Sequence, residues 1–191
     1  MALNIEAMIA DAFMEICEIR PVEKITVKDI LERSSLSRKA FYNHFRDKND
    51  LIQYCYQTRI VPQWEADVFE EEFELWNIEW FENMKRYRRF MKGACSSDEP
   101  NSLKNYILTK GREDDPKMYR NVSDEPISKE TEACIHYHAG ACRYIIIEWI
   151  LTDMPISPED LEKLIKMNRE VIRQLLIKQD WKRETKFNNC V

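Results

Sequence analysis

Glycine is scarce in this chain, and its scarcity restricts the folds open to it. Only three glycines occur among 191 residues, which argues against a Gly-rich phosphate loop and against a turn-dense β architecture. No apolar run approaches the roughly 18 residues that a membrane span needs, and the N-terminus lacks a basic segment followed by an apolar core. We therefore expect a cytoplasmic protein with no membrane partner.

Motifs of catalysis and metal binding are also missing. The three histidines form no H-E-x-x-H, no G-x-S-x-G occurs, and the six cysteines include no C-x-x-C. In a reducing cytosol such cysteines are ordinarily buried, inert thiols. The sequence thus predicts a protein that is not an enzyme and that uses neither a cofactor nor a metal.

The net charge of −5 is unusual for a nucleic-acid binder, but it is unevenly distributed. Residues 1–60 contain equal numbers of acidic and basic side chains, so the whole acidic excess lies in residues 61–191. The basic side chains of the first part cluster late, as Arg38, Lys39, His44, Arg46 and Lys48. A local basic edge is sufficient for phosphate contact, although a solvated surface patch explains the charge as well.

Helical periodicity, by contrast, is abundant. Apolar residues recur at spacings of three and four over residues 4–19, 75–92, 128–151 and 157–179, with shorter pieces near 103–109 and 116–121. The pattern predicts an all-α protein of about nine helices. Pro62 marks a break, and all five tryptophans follow it.

A helix-turn-helix pattern lies within residues 26–45. Thr26 suits the N-cap of a short helix, and Asp29 three positions later completes a capping box. Ser34-Ser35-Leu36 predicts a turn, and Ser37 is placed to cap the second helix. This is the layout whose second helix enters the major groove of DNA.

The second of these helices divides into two faces. Phe41 and Phe45, four residues apart, are predicted to be buried, which leaves outward the polar side chains of Arg38, Lys39, Tyr42 and His44. Asp47 is placed to cap the next helix, and Lys48 lies in its first turn, where backbone N–H groups favour a phosphate.

Three segments together resemble the signature of TetR-type transcriptional regulators: Ile25–Ile30, Leu36–Phe45 and Asp47–Leu51. The resemblance implies an all-α homodimer with an N-terminal helix-turn-helix DNA-binding domain, here residues 1–47, and a helical effector-binding and dimerisation domain, here residues 48–191. A further stretch, His138 to Leu161, resembles the branch related to dihydroxyacetone kinase regulators. The chain departs from the family in the turn, where Ser35 replaces a frequent glycine.

The resemblance also assigns roles in binding double-stranded DNA. Thr26, Tyr42 and Lys48 match positions that contact phosphates, and their hydroxyl, phenol and ammonium groups suit positioning contacts. The groove-facing positions are Ser37, Arg38, Lys39 and His44. Arg38 or Lys39 is able to donate to guanine O6 and N7. For Lys39, a contact with a phosphate alone is an equally good interpretation.

The second domain offers aromatic side chains for a small-molecule effector, since such pockets are mostly aromatic with few polar anchors. The candidates are Trp64, Trp76, Trp80, Tyr87, Tyr106, Tyr119 and Tyr137. Plain core packing explains them too. We expect the last two predicted helices to pair with those of a second copy, and the interface candidates are Ala141, Ile145, Trp149, Ile165, Asn168, Ile172 and Leu176.

One cluster is left over. Cys134, His138 and Cys142 are spaced four and four on one helical face, which suits a soft metal or a redox sensor, although small residues of a dimer face are the simpler interpretation. The sequence as a whole predicts a sequence-specific DNA-binding regulator, a homodimeric repressor released by a small-molecule effector. The alternative is a co-regulator subunit controlled by a protein partner.

Overall fold

The structure is a computed structural model that describes residues 4–63, 70–110 and 129–170. All regular elements in these ranges are helical, which confirms the predicted all-α class. The helices are α1 (Ile5–Cys17), α2 (Val27–Ser34), α3 (Arg38–His44), α4 (Lys48–Cys55), α5 (Glu70–Arg86), α6 (Arg88–Cys95), α7 (103–110), α8 (Lys129–Leu151) and α9 (158–170). A 3-10 turn (Val22–Lys24) precedes α2, and a π-helical turn (Tyr56–Ile60) extends α4.

The described residues fall into two compact units. The first contains residues 4–63, 70–106 and 147–158, and the second contains residues 107–110, 129–146 and 159–170. The boundary predicted at residue 47 does not coincide with the division between these units, and it stays a prediction.

The core of the first unit is built around α1, which packs against α2, α3 and α4. Ile9 and Phe13 of α1 are fully buried, and so are Ile30 of α2, Phe41 of α3 and Leu51 of α4. Each helix therefore turns one apolar stripe inward, as the spacing of three and four requires. Because α2, α3 and α4 are only seven or eight residues long, this shared core, and not their intrinsic propensity, holds them in place.

The predicted single helix over residues 75–92 is wrong. The structure has two helices there, and Tyr87 between them leaves helical geometry with φ −103° and ψ 35°. The break coincides with tight packing of α6 on the 3-10 turn, since a Cβ added at Gly93 would lie 2.8 Å from Cγ2 of Val22. Sequence periodicity carries through such a break because the apolar spacing continues on both sides.

Several sequence predictions fall outside the described residues. These are the short helix near 116–121, the end of the last helix, and the candidate residues Trp64, Tyr119, Ile172 and Leu176. The start of the last helix is confirmed, because α9 begins at Pro158, the position in a helix that proline tolerates best. Among the described helices, none is both long enough and apolar enough to cross a membrane.

Candidate DNA-binding site

The capping box predicted at the start of α2 is confirmed. The Asp29 N–H donates to Oγ1 of Thr26 over 3.2 Å, and the Thr26 N–H donates to Oδ2 of Asp29 over 2.8 Å. The Thr26 hydroxyl donates to the same carboxylate over 2.6 Å, and Arg20 donates to its other oxygen. These bonds, with the Thr26 hydroxyl first, lower the pKa of Asp29 below its ordinary value of 3.8.

The turn between α2 and α3 is left-handed. Ser35, the residue that directly follows α2, has φ 57° and ψ 27°, a region that glycine enters at much lower cost than serine. Ser37 then caps α3 as predicted, its hydroxyl accepting from the Ala40 N–H over 3.1 Å. The turn thus sets the direction of α3 through a strained residue followed by a cap.

The two faces of α3 are placed as the sequence predicts. Phe41 is fully buried and Phe45 is 3% exposed. The residues on the other side are exposed: Ser37, Arg38, Lys39, Tyr42 and His44. Asn43 is exposed beside them and was not among the sequence candidates, although its position four residues after Lys39 puts it on the same face. An amide is able to pair with adenine, so this face includes one more potential base contact.

The basic side chains of this face differ in their partners. The Arg46 guanidinium donates twice to the Asp50 carboxylate, to which the Arg46 backbone N–H also donates, and Nδ1 of His44 lies 3.4 Å from the Glu6 carboxylate. The Arg38 guanidinium instead lies over the Tyr42 ring, 5.5 Å from its centroid. Within the part of the chain that the structure describes, no ion pair includes Arg38 or Lys39. Positive charge is thus concentrated at the N-terminal half of α3.

Lys48 has internal partners that the sequence did not reveal. Asp47 caps α4 by accepting from the Asp50 N–H, as predicted, and this leaves Lys48 in the first turn. Its ammonium donates to the carbonyls of Val22, over 3.0 Å, and Ile25, over 2.9 Å. The side chain therefore ties α4 to the segment before α2. No local signal marks these contacts, because the acceptors are more than twenty residues away in sequence.

Comparisons with known proteins agree with the helical fold of the chain. A family model described as "Bacterial regulatory proteins, tetR family" matches residues 9–55, and a second, "Transcriptional regulator C-terminal region", matches residues 71–174. The chain belongs to the TetR family of transcriptional regulators. Its helix-turn-helix is accordingly a DNA-binding element.

A solved structure extends the likeness of this TetR-family chain over both units. The protein named "Dihydroxyacetone kinase operon activator DhaS" superposes with a TM-score of 0.64 at 17% sequence identity, covering 91% of this chain and 97% of that one. At this identity the likeness shows the fold alone. Among functionally curated proteins, none matches the chain in sequence.

The predicted effector residues are partly assembled. Trp76 and Trp80 of α5 lie with their ring centroids 5.4 Å apart, and Phe81 links them to Trp149 of α8. The other candidates are scattered: Tyr87 lies at the α5–α6 break, Tyr106 accepts a hydrogen bond from Gln57, and Tyr137 is 79% exposed on α8. We name the ring group Trp76, Trp80, Phe81 and Trp149 the aromatic cluster.

The predicted dimer residues divide by exposure. Ala141 and Asn168 are exposed and Ile145 is half-buried. Trp149 and Ile165 are 4% and 5% exposed, and the Trp149 indole N–H donates to the Ile156 carbonyl over 3.1 Å. Trp149 and Ile165 thus offer little surface to a second copy.

Proposed function

We propose that this TetR-family chain is a sequence-specific repressor that reads its operator through the exposed face of α3. The single observation that carries the proposal is the pair of cations at the start of α3, Arg38 and Lys39, for which the described residues supply no carboxylate. Their helix is anchored from behind by Phe41 and Phe45, so they are presented on a rigid element, as base readout requires. Ser37 and His44 complete the groove-facing set.

Phosphate contacts come from the flanks of α3 in this proposal. Tyr42 is 47% exposed with its phenol on the same face as Arg38. Thr26 and Lys48 already donate hydrogen bonds within the fold, so a phosphate contact by either side chain has to be compatible with these bonds. The Thr26 hydroxyl proton goes to Asp29, and a phosphate contact through it requires that proton to change acceptor. Lys48 divides its three ammonium protons between two carbonyls, which leaves one for a phosphate.

We further propose a homodimer formed through the exposed face of α8. Tyr137 and Tyr144 are 79% and 65% exposed, and Gly140 and Ala141 between them are exposed as well. Residues spaced four and three apart share a helical face, so two rings flank a small-residue centre that permits a second helix to approach closely. A twofold dimer also supplies two recognition helices, about one helical turn of DNA apart, for two half-sites.

An effector fits best at the aromatic cluster. The indole nitrogen of Trp80 is buried and has no hydrogen-bond acceptor among the described residues. A buried N–H without an acceptor costs free energy that a ligand's oxygen would recover, and an aromatic wall with one polar anchor is typical of small-molecule sites. A planar ligand with a hydrogen-bond acceptor suits these two features.

In this proposal, a movement of α4 releases the DNA when the effector binds. Asn49 donates to Glu99 and Asn101, and Gln53 donates to the Asn101 carbonyl over 3.1 Å. Gln57 reaches Tyr106 of α7. Helix α4, which follows α3, is therefore hydrogen-bonded along its length to residues 99–106. A shift of that segment would move α4 and, with it, α3.

The experiment that tests the proposal is selection of genomic fragments by the purified protein, followed by footprinting. Arg38→Ala should lower affinity for the selected operator by about 1–3 kcal/mol and relax preference at one base pair. Lys163→Ala removes the same charge from the exposed surface of α9 and is the control, with unchanged affinity. Equal binding by the parent and Arg38→Ala, with the fold intact, would reject α3 as the reading helix.

The sign of regulation is decided by transcription from the selected operator. The structural neighbour is named an activator. We expect this chain to lower transcription from the selected operator, and a rise in transcription would contradict the proposed repression. The alternative function, a co-regulator that needs a protein partner, predicts that the purified chain selects no DNA until that partner is added.

A further inference from the structure

Asn77 is a polar side chain on the buried face of α5. It is only 5% exposed, and Phe81 and Met84, one and two turns further along the same face, are 1% and 0% exposed. Buried amides are almost always hydrogen-bonded, but within the described ranges of the chain no group bonds to the Asn77 amide. The amide therefore costs stability in the folded chain, and the packing of α5 alone does not account for it.

Neighbouring polar side chains of α5 do have partners. The Trp76 indole N–H donates to the Pro62 carbonyl over 3.3 Å, and the Asn83 amide donates to the Ile60 carbonyl over 3.2 Å. The backbone at the end of the π-helical turn thus offers acceptors to residues on both sides of Asn77 in the sequence. Asn77 is more deeply buried than these two donors, and yet it is the one that the described residues leave without a bond.

A second unpaired group lies three residues later. The indole nitrogen of Trp80 is buried and has no acceptor among the described residues, and residues three apart on a helix are neighbours on its surface. Both groups border the aromatic cluster, because Trp80 belongs to it and Phe81, a further member, lies one turn after Asn77. The indole only donates, whereas the amide both donates and accepts. Two unmet polar groups beside one set of rings indicate a binding site rather than an isolated packing defect.

The charges of α5 restrict which ligand fits. All charged residues of this helix before Lys85 are acidic: Glu70, Glu71, Glu72, Glu74, Glu79 and Glu82. An anion would be repelled by these carboxylates. A cation would meet the partial positive charge of the Trp80 N–H, and burying either ion carries a desolvation cost. The site therefore favours an uncharged ligand.

We propose that Asn77 and the aromatic cluster bind an uncharged planar ligand that carries a cyclic amide, in which an N–H and a carbonyl share one edge. The ligand carbonyl accepts from the Trp80 indole and from the Asn77 amide, and the ligand N–H donates to Oδ1 of Asn77. The indole rings supply the apolar contact area. The regulatory meaning rests on the proposed function, whose effector site is the aromatic cluster, and the cyclic amide gives that effector a chemical class.

The first test needs no ligand. Asn77→Leu replaces the unpaired amide by an apolar group of similar volume, so the Tm of the full-length protein should rise by about 2–6 °C. Asn83→Leu is the matched control on the same helix, and its Tm should fall because the Ile60 carbonyl loses its donor. An unchanged or lower Tm for Asn77→Leu would mean that the amide has a partner in the fold, and would overturn the proposal.

The second test measures binding to the full-length protein by isothermal titration calorimetry. The probes are two bicyclic lactams, carbostyril and isocarbostyril, with their N-methyl derivatives, and naphthoate as the anion. At least one lactam should bind, and its N-methyl derivative and naphthoate should bind about tenfold more weakly or less, because a buried group is left unpaired. Asn77→Leu should weaken lactam binding by about tenfold as well. No binding by either lactam, or a lactam affinity that N-methylation or Asn77→Leu leaves unchanged, would overturn the proposal.

Operator binding is measured separately, so the lactam site and the proposed function can fail independently. A lactam that binds through Asn77 without lowering operator affinity would reject release by this effector and leave the lactam site in place. Failure of both lactams to bind, while the parent protein still selects its operator, would reject the lactam site and leave DNA reading in place.

Discussion

Ser35 is a single residue with a strained backbone conformation, although the turn in which it lies is the one that the sequence predicts. Its φ of 57° belongs to the left-handed region, where a side chain with a Cβ costs about 1–2 kcal/mol. We expect Ser35→Gly to raise the free energy of unfolding by about 1 kcal/mol, since glycine enters this region freely although it loses more entropy on folding. Urea unfolding followed by circular dichroism measures the change.

The neighbouring Ser34 is the control for this prediction. It is the last residue of α2 and helical, so glycine there should lower stability by up to about 1 kcal/mol. Opposite signs at two adjacent serines would identify backbone geometry as the cause. A destabilised Ser35→Gly protein would show that the serine side chain is needed in the turn.

Asp29 gives a prediction about pH. Its carboxylate is bonded to Thr26 and Arg20, which lowers its pKa, so the charged form favours the folded state. The contribution is fully present above the ordinary pKa of 3.8 and is lost as the pH falls through the lower folded pKa. We expect Asp29→Asn to lower the Tm at pH 6 and the difference from the parent to shrink below pH 4.

Glu32→Gln on the same helix serves as the comparison, because that side chain is 65% exposed and takes no part in the capping box. Its Tm difference from the parent should stay small and flat across the same pH range. A constant difference for Asp29→Asn down to the lowest pH would mean that the carboxylate charge does not stabilise the cap.

At the scale of the helix, α6 is held so close to the 3-10 turn that only glycine fits at position 93. A Cβ there would lie 2.8 and 2.9 Å from two carbons of Val22. Alanine gains about 1 kcal/mol in helix propensity, but overpacking costs about 1–3 kcal/mol, so Gly93→Ala should destabilise the protein. Chemical unfolding measures this loss, and a variant as stable as the parent would contradict the close contact.

Gly140 on α8 is the contrasting site. A Cβ added there meets nothing within 4 Å, so in the single chain alanine should keep or raise the stability through propensity alone. Because Gly140 lies on the proposed dimer face, the two alanine variants are compared as monomers, at low protein concentration. The comparison then separates the loss of space from the general effect of replacing a helical glycine.

What the sequence could predict follows from the range of each interaction. The caps at Thr26, Ser37 and Asp47 are confirmed because each joins residues that are only three positions apart in the sequence. The burial of Phe41 and Phe45 is confirmed because helical spacing fixes one face. The roles of these residues toward DNA stay predictions, since no contact within the chain reports on them.

The remainder depended on distant parts of the chain. Lys48 meets carbonyls at positions 22 and 25, and the break at Tyr87 carries neither glycine nor proline at that position. Asp50 captures Arg46, which a pattern of basic residues alone counts as positive surface. Such pairings are decided by how helices pack, and periodicity specifies which face is buried but not which neighbour covers it.

At the scale of the whole molecule, the proposed dimer makes the most direct prediction. Tyr137→Glu combined with Tyr144→Glu places two charges on the exposed α8 face, where burial against a second copy would carry a high cost. We expect a folded monomer by sedimentation, with operator affinity reduced because a monomer engages only one half-site. Circular dichroism should match that of the parent, since both side chains are exposed in the subunit.

Ile19→Glu is the control for this pair. Ile19 is 83% exposed and lies outside α8, so the same change of chemistry there should leave the sedimentation coefficient unaltered. A parent protein that sediments as a monomer, or a double variant that remains a dimer, would rule out the α8 interface.

The contacts of α6 with the N-terminal helices limit how this regulator can be recombined. Phe90 packs edge-on against Phe13, Arg89 donates to the Glu18 carbonyl, and Gly93 lies against Val22. A chimera that joins residues 1–47 of this chain to the C-terminal domain of another regulator would leave Phe13 and Val22 against a foreign helix. Residues 88–95 therefore need to be transferred together with the N-terminal DNA-binding segment. We expect a functional chimera only when both segments are exchanged, and not when residues 1–47 are exchanged alone.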